Sequence, residues 1–272
     1  MKSISIIILS IFLLIITLIV SCDATSESEP NIEEQIELAE TKSYCNEYVD
    51  STETTFTIAR NWKNYNDTSF CTSYTTAIEQ FETAKFNREF FEYDEAVDYL
   101  DFWGTLYDTL YHSDKDLFPL LLDSLESLKV KYALNRDQFA KVIVCFVQDI
   151  PYTYILQHAD CNNLEYSDSP CLGEQIYGIL SPYEFLHTLK GDCDTRTVLL
   201  YTILKHFNYS PKIAVSRTYE HSMLLLDVAA AGEHLYEYGK KYYFWETTGQ
   251  DWLPGVIPAG MGDLYWWDIA LE

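Results

Sequence analysis

Between residues 76 and 149 apolar side chains recur at helical spacing in four successive stretches, and beyond residue 207 the spacing shortens to that of strands. The expected helices cover about 76–91, 94–111, 115–132 and 135–149. The second presents Ala96, Val97, Leu100, Trp103, Leu106, Tyr107 and Leu110 on one face, and Pro119 is tolerated in the first turn of the third. A further helix is expected at about 193–207 and strands at about 212–218, 221–228 and 240–248. Residues 52–75, rich in Thr, Tyr and Phe, suggest short strands with a turn near Asn64–Thr68. Residues 150–189 read as irregular apart from a short helix at Pro182–Leu189. Helices followed by a helix and strands predict an α+β fold.

Composition removes several function classes. The chain has 272 residues, 48% hydrophobic and 15% aromatic, which excludes disorder throughout. Its 18 Lys+Arg face 42 Asp+Glu, a formal charge of -24, which excludes ordinary nucleic-acid binding because phosphates are held by clustered cations. Such a charge also opposes docking on anionic lipid by electrostatics alone.

Residues Ile4 to Val20 are almost continuously apolar after Lys2, a length that suits a signal segment better than a spanning helix. Ile19-Val20-Ser21-Cys22 resembles the bacterial lipobox. That likeness implies cleavage of residues 1–21, a lipid on Cys22 and a lipid-anchored protein of the cell envelope. Asp23 resembles an inner-membrane retention signal in enterobacteria, whereas an acidic stretch resembles a surface-export signal in Bacteroidota-like bacteria; the two place the protein on different leaflets. Residues 22–43, with seven acids and one Lys, read as an acidic tether, the alternative being a short helix over Ile32–Leu38. The body then divides into a strand and helical region at 44–134 and a second domain at 135–272.

Seven cysteines need different explanations. An envelope location permits disulfides. Cys161 and Cys171 flank a polar loop and Cys45 and Cys71 share the N-terminal part, which makes these the expected pairs among three possible connectivities. Cys145 lies in an apolar helix and reads as an inert thiol. There is no closely spaced Cys/His cluster, so no metal or other cofactor is expected.

Cys193 differs. In Gly191-Asp192-Cys193-Asp194-Thr195-Arg196, Asp192 is a natural N-cap, Gly191 allows a sharp turn, and Cys193 enters the first helical turn. The dipole and free amides there favour the thiolate and could hold an oxyanion. His221 starts one expected strand and Glu246 ends another. An unbulged antiparallel pairing would set Glu246 opposite His221 or one residue away. Asp227 is a rival orienter, but it lies far along the strand from His221. The other histidines, His112, His158, His187, His206 and His234, have no such context.

GDCDTR, EHSMLLLDV and YYFWETTG, in this order, resemble the transglutaminase-like superfamily, of the bacterial transglutaminase-like cysteine proteinase type. The likeness covers about 137–260, and Trp62, Tyr74 and Arg88 extend it weakly toward the N-terminus. It implies a papain-like core with an antiparallel sheet packed on the nucleophile helix. It also implies a Cys193–His221–Glu246 triad, Gln148 as oxyanion donor and Tyr152 lining the site. Glu246 stands where many members have Asp; its extra methylene requires compensation in strand register. The expected activity is hydrolysis of an amide in a protein or peptide, a peptidoglycan stem peptide being one case. Alternatives are acyl transfer to an amine, or a binding lipoprotein with a relict triad.

Overall fold

A computed structural model describes residues 47–94, 96–161 and 170–272. The signal segment, Cys22, the acidic tether and Cys45 lie outside the described residues. Among those described, no helix is long and apolar enough to cross a membrane.

The chain begins with a three-stranded antiparallel sheet, β1 (Tyr48–Ser51), β2 (Thr55–Lys63) and β3 (Ser69–Ala77), in that spatial order. The β2–β3 turn falls at Asn64–Thr68 as expected, because Asn64 Oδ1 accepts from the amides of Asn66 and Thr68, each at 3.0 Å. Four helices follow: α1 (Ile78–Glu89), α2 (Tyr99–Asp114), α3 (Pro119–Lys131) and α4 (Arg136–Gln148). Helix α2 starts later than its apolar spacing suggests because Asp98 caps it, accepting from the Asp101 amide. Helix α4 begins with a reciprocal capping box between Asn135 and Gln138.

The irregular stretch contains a short parallel pair, β4 (Tyr154–Ile155) with β5 (Cys171–Leu172), and a 3-10 turn at Ile176–Gly178. Cys161 and Cys171 form the expected disulfide, and Cys71 is also disulfide-bonded. Cys145 is free and buried. Helix α5 (Pro182–Thr188) is capped by Ser181 and Glu184, and α6 (Cys193–His206) follows.

The last part is a five-stranded antiparallel sheet of β6 (Lys212–Ser216), β7 (His221–Leu226), β8 (His234–Glu237), β9 (Lys240–Trp245) and β10 (Asp268–Leu271). Its spatial order is β10-β6-β7-β9-β8. Leu224, Leu226 and Trp245 join the helical core on one face, while Met223, Leu225 and Phe244 pack with Ala214 and Trp267 on the other. Burial of both faces explains why β7 reads as a nearly unbroken apolar run. The helical core also contains Trp62, Phe70 and Tyr74 of the first sheet, so 44–134 and 135–272 share one interior. The fold is α+β, as expected.

Candidate active site

Asp192 caps α6 through the Thr195 amide at 3.1 Å and leaves Cys193 as the first helical residue. The turn before it differs from expectation in one respect. The left-handed residue is Leu189, with φ of 55°, rather than Gly191. Gly191 is required by packing, since a Cβ there would lie 3.0 Å from the Phe185 ring and 2.9 Å from Thr195 Cγ2.

Arg196, one turn into α6, fastens the site together. Its buried guanidinium donates to the carbonyls of Gly191 (2.9 Å), Val147 (2.9 Å), Ile150 (2.5 Å) and Thr247 (3.1 Å). It thereby ties the end of α4 and the chain just beyond it, the approach to Cys193, and the residue after Glu246. Burial lowers its pKa to about 10, so it stays charged at neutral pH.

His221 and Glu246 meet, but by a different register from the one expected. Strands β7 and β9 pair Leu224 with Trp245, Leu225 with Phe244 and Leu226 with Tyr243. Extended beyond the ladder, that register places Glu246 opposite Met223, diagonal to His221. The expected hairpin ignored β8, which occupies part of the connection and pairs with the outer edge of β9. Diagonal neighbours are roughly 7–8 Å apart at the backbone, within reach of long side chains. The longer Glu side chain spans this offset, and His221 Nε2 lies 2.8 Å from Glu246 Oε2. With Nε2 donating to the carboxylate, Nδ1 is the nitrogen left to accept a proton.

The Glu-Thr-Thr sequence forms a nest for the carboxylate. Glu246 Oε1 accepts from the amides of Thr247 (2.8 Å) and Thr248 (2.9 Å) and from the Thr248 hydroxyl (2.7 Å). Burial pushes the carboxyl pKa up, but the hydrogen bond and charge of His221 and the Thr248 bonds outweigh it, and the net shift is downward. Glu246 is therefore ionised at neutral pH. Its ionisation stabilises the fold there, and that contribution is lost as acidification passes through its lowered folded value. Asp227 is committed elsewhere, 3.1 Å from Arg136.

The thiol is 6% exposed, and its hydrogen bond goes to Asp194 Oδ2 at 3.6 Å rather than to His221. Asp194 also accepts a hydrogen bond from the Tyr107 hydroxyl of α2. Burial, then Asp194, then Asp192, push the thiol well above its ordinary range, although Ser222 favours the thiolate. The Ser222 hydroxyl is buried and has no hydrogen-bond partner among the described residues. This corrects the thiolate expectation. Desolvation, and after it the neighbouring acids with Asp194 foremost, outweigh the helix N-terminus, so the resting group is a neutral thiol. Replacing Asp194 with Asn is expected to make iodoacetamide labelling of Cys193 about tenfold faster at pH 7.5, one such factor per pKa unit regained. Unchanged labelling would remove Asp194 as the source of the suppression.

Gln148 also needs correction. Both donors of its amide are used, Nε2 reaching the carbonyls of Glu246 (2.7 Å) and Trp252 (3.0 Å), while Oε1 accepts from Tyr65 at 3.2 Å. Its buried side chain braces the Glu246 backbone instead of presenting a free donor to an oxyanion. Tyr152 does lie within electrostatic range of Cys193. Burial, above all, raises its phenol pKa. The phenol is thus neutral and able to donate.

Tyr107, Asp194, Arg196 and Ser222 went unassigned at the sequence level. Tyr107 offered only a hydroxyl on an apolar stripe, and Arg196 only a cation in an otherwise buried helix. No family model matches the chain, and no curated protein or solved structure matches it either.

Proposed function

We propose that this chain is a lipid-anchored cysteine hydrolase of the cell envelope, with a transglutaminase-like core, acting on an amide or peptide bond. The observation that carries this reading is the buried, nested Glu246 carboxylate bonded to His221 at 2.8 Å, with a helix-start cysteine on the neighbouring element. A purely structural histidine would not require an ionised carboxylate held by three further hydrogen bonds.

In this reading substrate draws the Cys193 thiol from Asp194 toward His221 Nδ1, which takes its proton. The sulfur attacks the carbonyl carbon, and the oxyanion forms near the Cys193 amide and the Tyr152 hydroxyl. The imidazolium returns its proton to the leaving amine as the carbon–nitrogen bond breaks. Water, losing a proton to the same nitrogen, then releases the acid and restores the thiol. Glu246 fixes the tautomer throughout. The lipid inferred on Cys22 would hold the protein to the membrane despite its charge.

A binding protein with a relict triad is the second reading, favoured by the thiol's bond to Asp194 rather than His221. Incubating envelope peptides in ¹⁸O-water with the wild-type protein and with Cys193→Ala separates the two. A hydrolase yields ¹⁸O-labelled new carboxylates from the wild type alone. Identical peptide sets from both proteins would eliminate the hydrolase reading.

A further inference from the structure

The sequence contains five arginines, and four are committed within the fold. Arg60 pairs with Asp149, Arg88 with Glu184, and Arg136 with Asp227, while Arg196 is spent on backbone carbonyls. Arg217 is exposed and has no carboxylate within salt-bridge distance among the described residues. Its guanidinium rests over the Tyr99 ring at 5.7 Å. In a chain with 42 acidic residues against 18 Lys+Arg, a guanidinium without an ion-pair partner is conspicuous.

Its position gives it meaning. Arg217 directly follows Ser216, which pairs with His221 across β6 and β7. With Thr218, Tyr265, Trp266 and Asp268 it lines a groove of about 580 Å³. The aromatic lining also lies near the histidine, because Trp266 precedes Trp267, whose ring lies 6.0 Å from that of His221. Tyr265 is 80% exposed and Trp266 44% exposed, so two aromatic faces stand open beside the cation. Each wall is one residue removed from a neighbour of the proposed general base.

We propose that this groove is a specificity subsite of the proposed hydrolase, in which Arg217 binds a carboxylate of a peptide substrate next to the bond that is cut. A guanidinium matches a carboxylate with two parallel hydrogen bonds, and aromatic walls cover the apolar part of the same residue. Asp268 offers an acceptor for a peptide N–H or ammonium and disfavours a second carboxylate. The carboxylate can belong to the peptide terminus or to an acidic side chain.

The inference rests on the hydrolase reading only for the identity of the neighbouring site, and binding can be measured without turnover. Calorimetric titration of Cys193→Ala would compare three peptides. They are acetyl-Ala-Ala-Gln-Ala-Ala with a free terminal carboxylate, the same peptide as its C-terminal amide, and that amide with the last Ala replaced by Glu. The expected result is binding about tenfold tighter for a carboxylate peptide than for the neutral amide. Preference for the free acid identifies the terminus, and preference for the Glu peptide identifies a side chain. Adding Arg217→Gln should erase the difference, and Arg217→Lys should restore only part of it. Equal binding of all three, no binding of any, or a preference that survives Arg217→Gln would overturn the subsite. Cys193-dependent turnover without a carboxylate preference would leave the hydrolase standing and remove the subsite. An Arg217-dependent preference without turnover would do the reverse.

Discussion

Replacing Arg88 with Met is expected to cost about 3–5 kcal/mol of folding stability. Arg88 and Glu184 are both buried, and their contact is bidentate, with Nε to Oε2 at 2.7 Å and Nη2 to Oε1 at 2.9 Å. The guanidinium also donates to the Ile176 carbonyl and the Gln175 side chain. Its removal leaves a carboxylate that water cannot reach, together with two acceptors that lose a donor. For a body of this size the change should appear as a melting temperature roughly 6–20 °C lower. Pairing the substitution with Glu184→Gln should recover much of the loss. Glutamine removes the charge and keeps an oxygen for the Ser181 amide, which Glu184 Oε2 accepts at 2.8 Å. A single variant that melts within about 2 °C of wild type would show that this pair is not desolvated as the geometry requires.

In the proposed hydrolase, replacing Glu246 with Gln should reduce turnover by up to about 10⁴-fold and remove the stability that the ionised carboxylate contributes at neutral pH. The three donors around Oε1 can still be met by the amide oxygen. The NH₂ group then faces His221 Nε2, which must become an acceptor. That forces the remaining ring proton onto Nδ1, where the thiol proton would have to go. Binding of peptide should be preserved, so kcat falls while KM changes little. Loss of less than tenfold would show that Glu246 does not set the tautomer.

What the sequence disclosed follows the range of each signal. Local signals were sound: the apolar spacing expected at about 135–149 is α4, and the Asn64 turn lies where polar residues interrupt the strands. Strands lacking alternation escaped notice. Tyr48–Ser51 is exposed along its whole length, and Asp268–Leu271 becomes a strand only through its pairing with β6. The His221–Glu246 meeting was legible, but its register was not, because β8 alters the connection assumed between β7 and β9. Gln148 carried a family-like position, yet its role depends on where the carbonyls of Glu246 and Trp252 arrive in space. Tyr107 reaches Asp194 across 87 residues of chain, which no periodicity reports.

Arg196 has one more implication. Its positive charge meets carbonyl dipoles and has no carboxylate within salt-bridge distance among the described residues. It lies within electrostatic range of Cys193, Tyr152 and Glu246. In a protein of net charge -24, the local potential at the sulfur would otherwise oppose any developing negative charge. A water-excluded guanidinium that is ionised at neutral pH shifts that potential toward positive where a thiolate and an oxyanion would form. In the proposed hydrolase, the staple that holds three chain segments would therefore also be a built-in counter-charge for an anionic transition state.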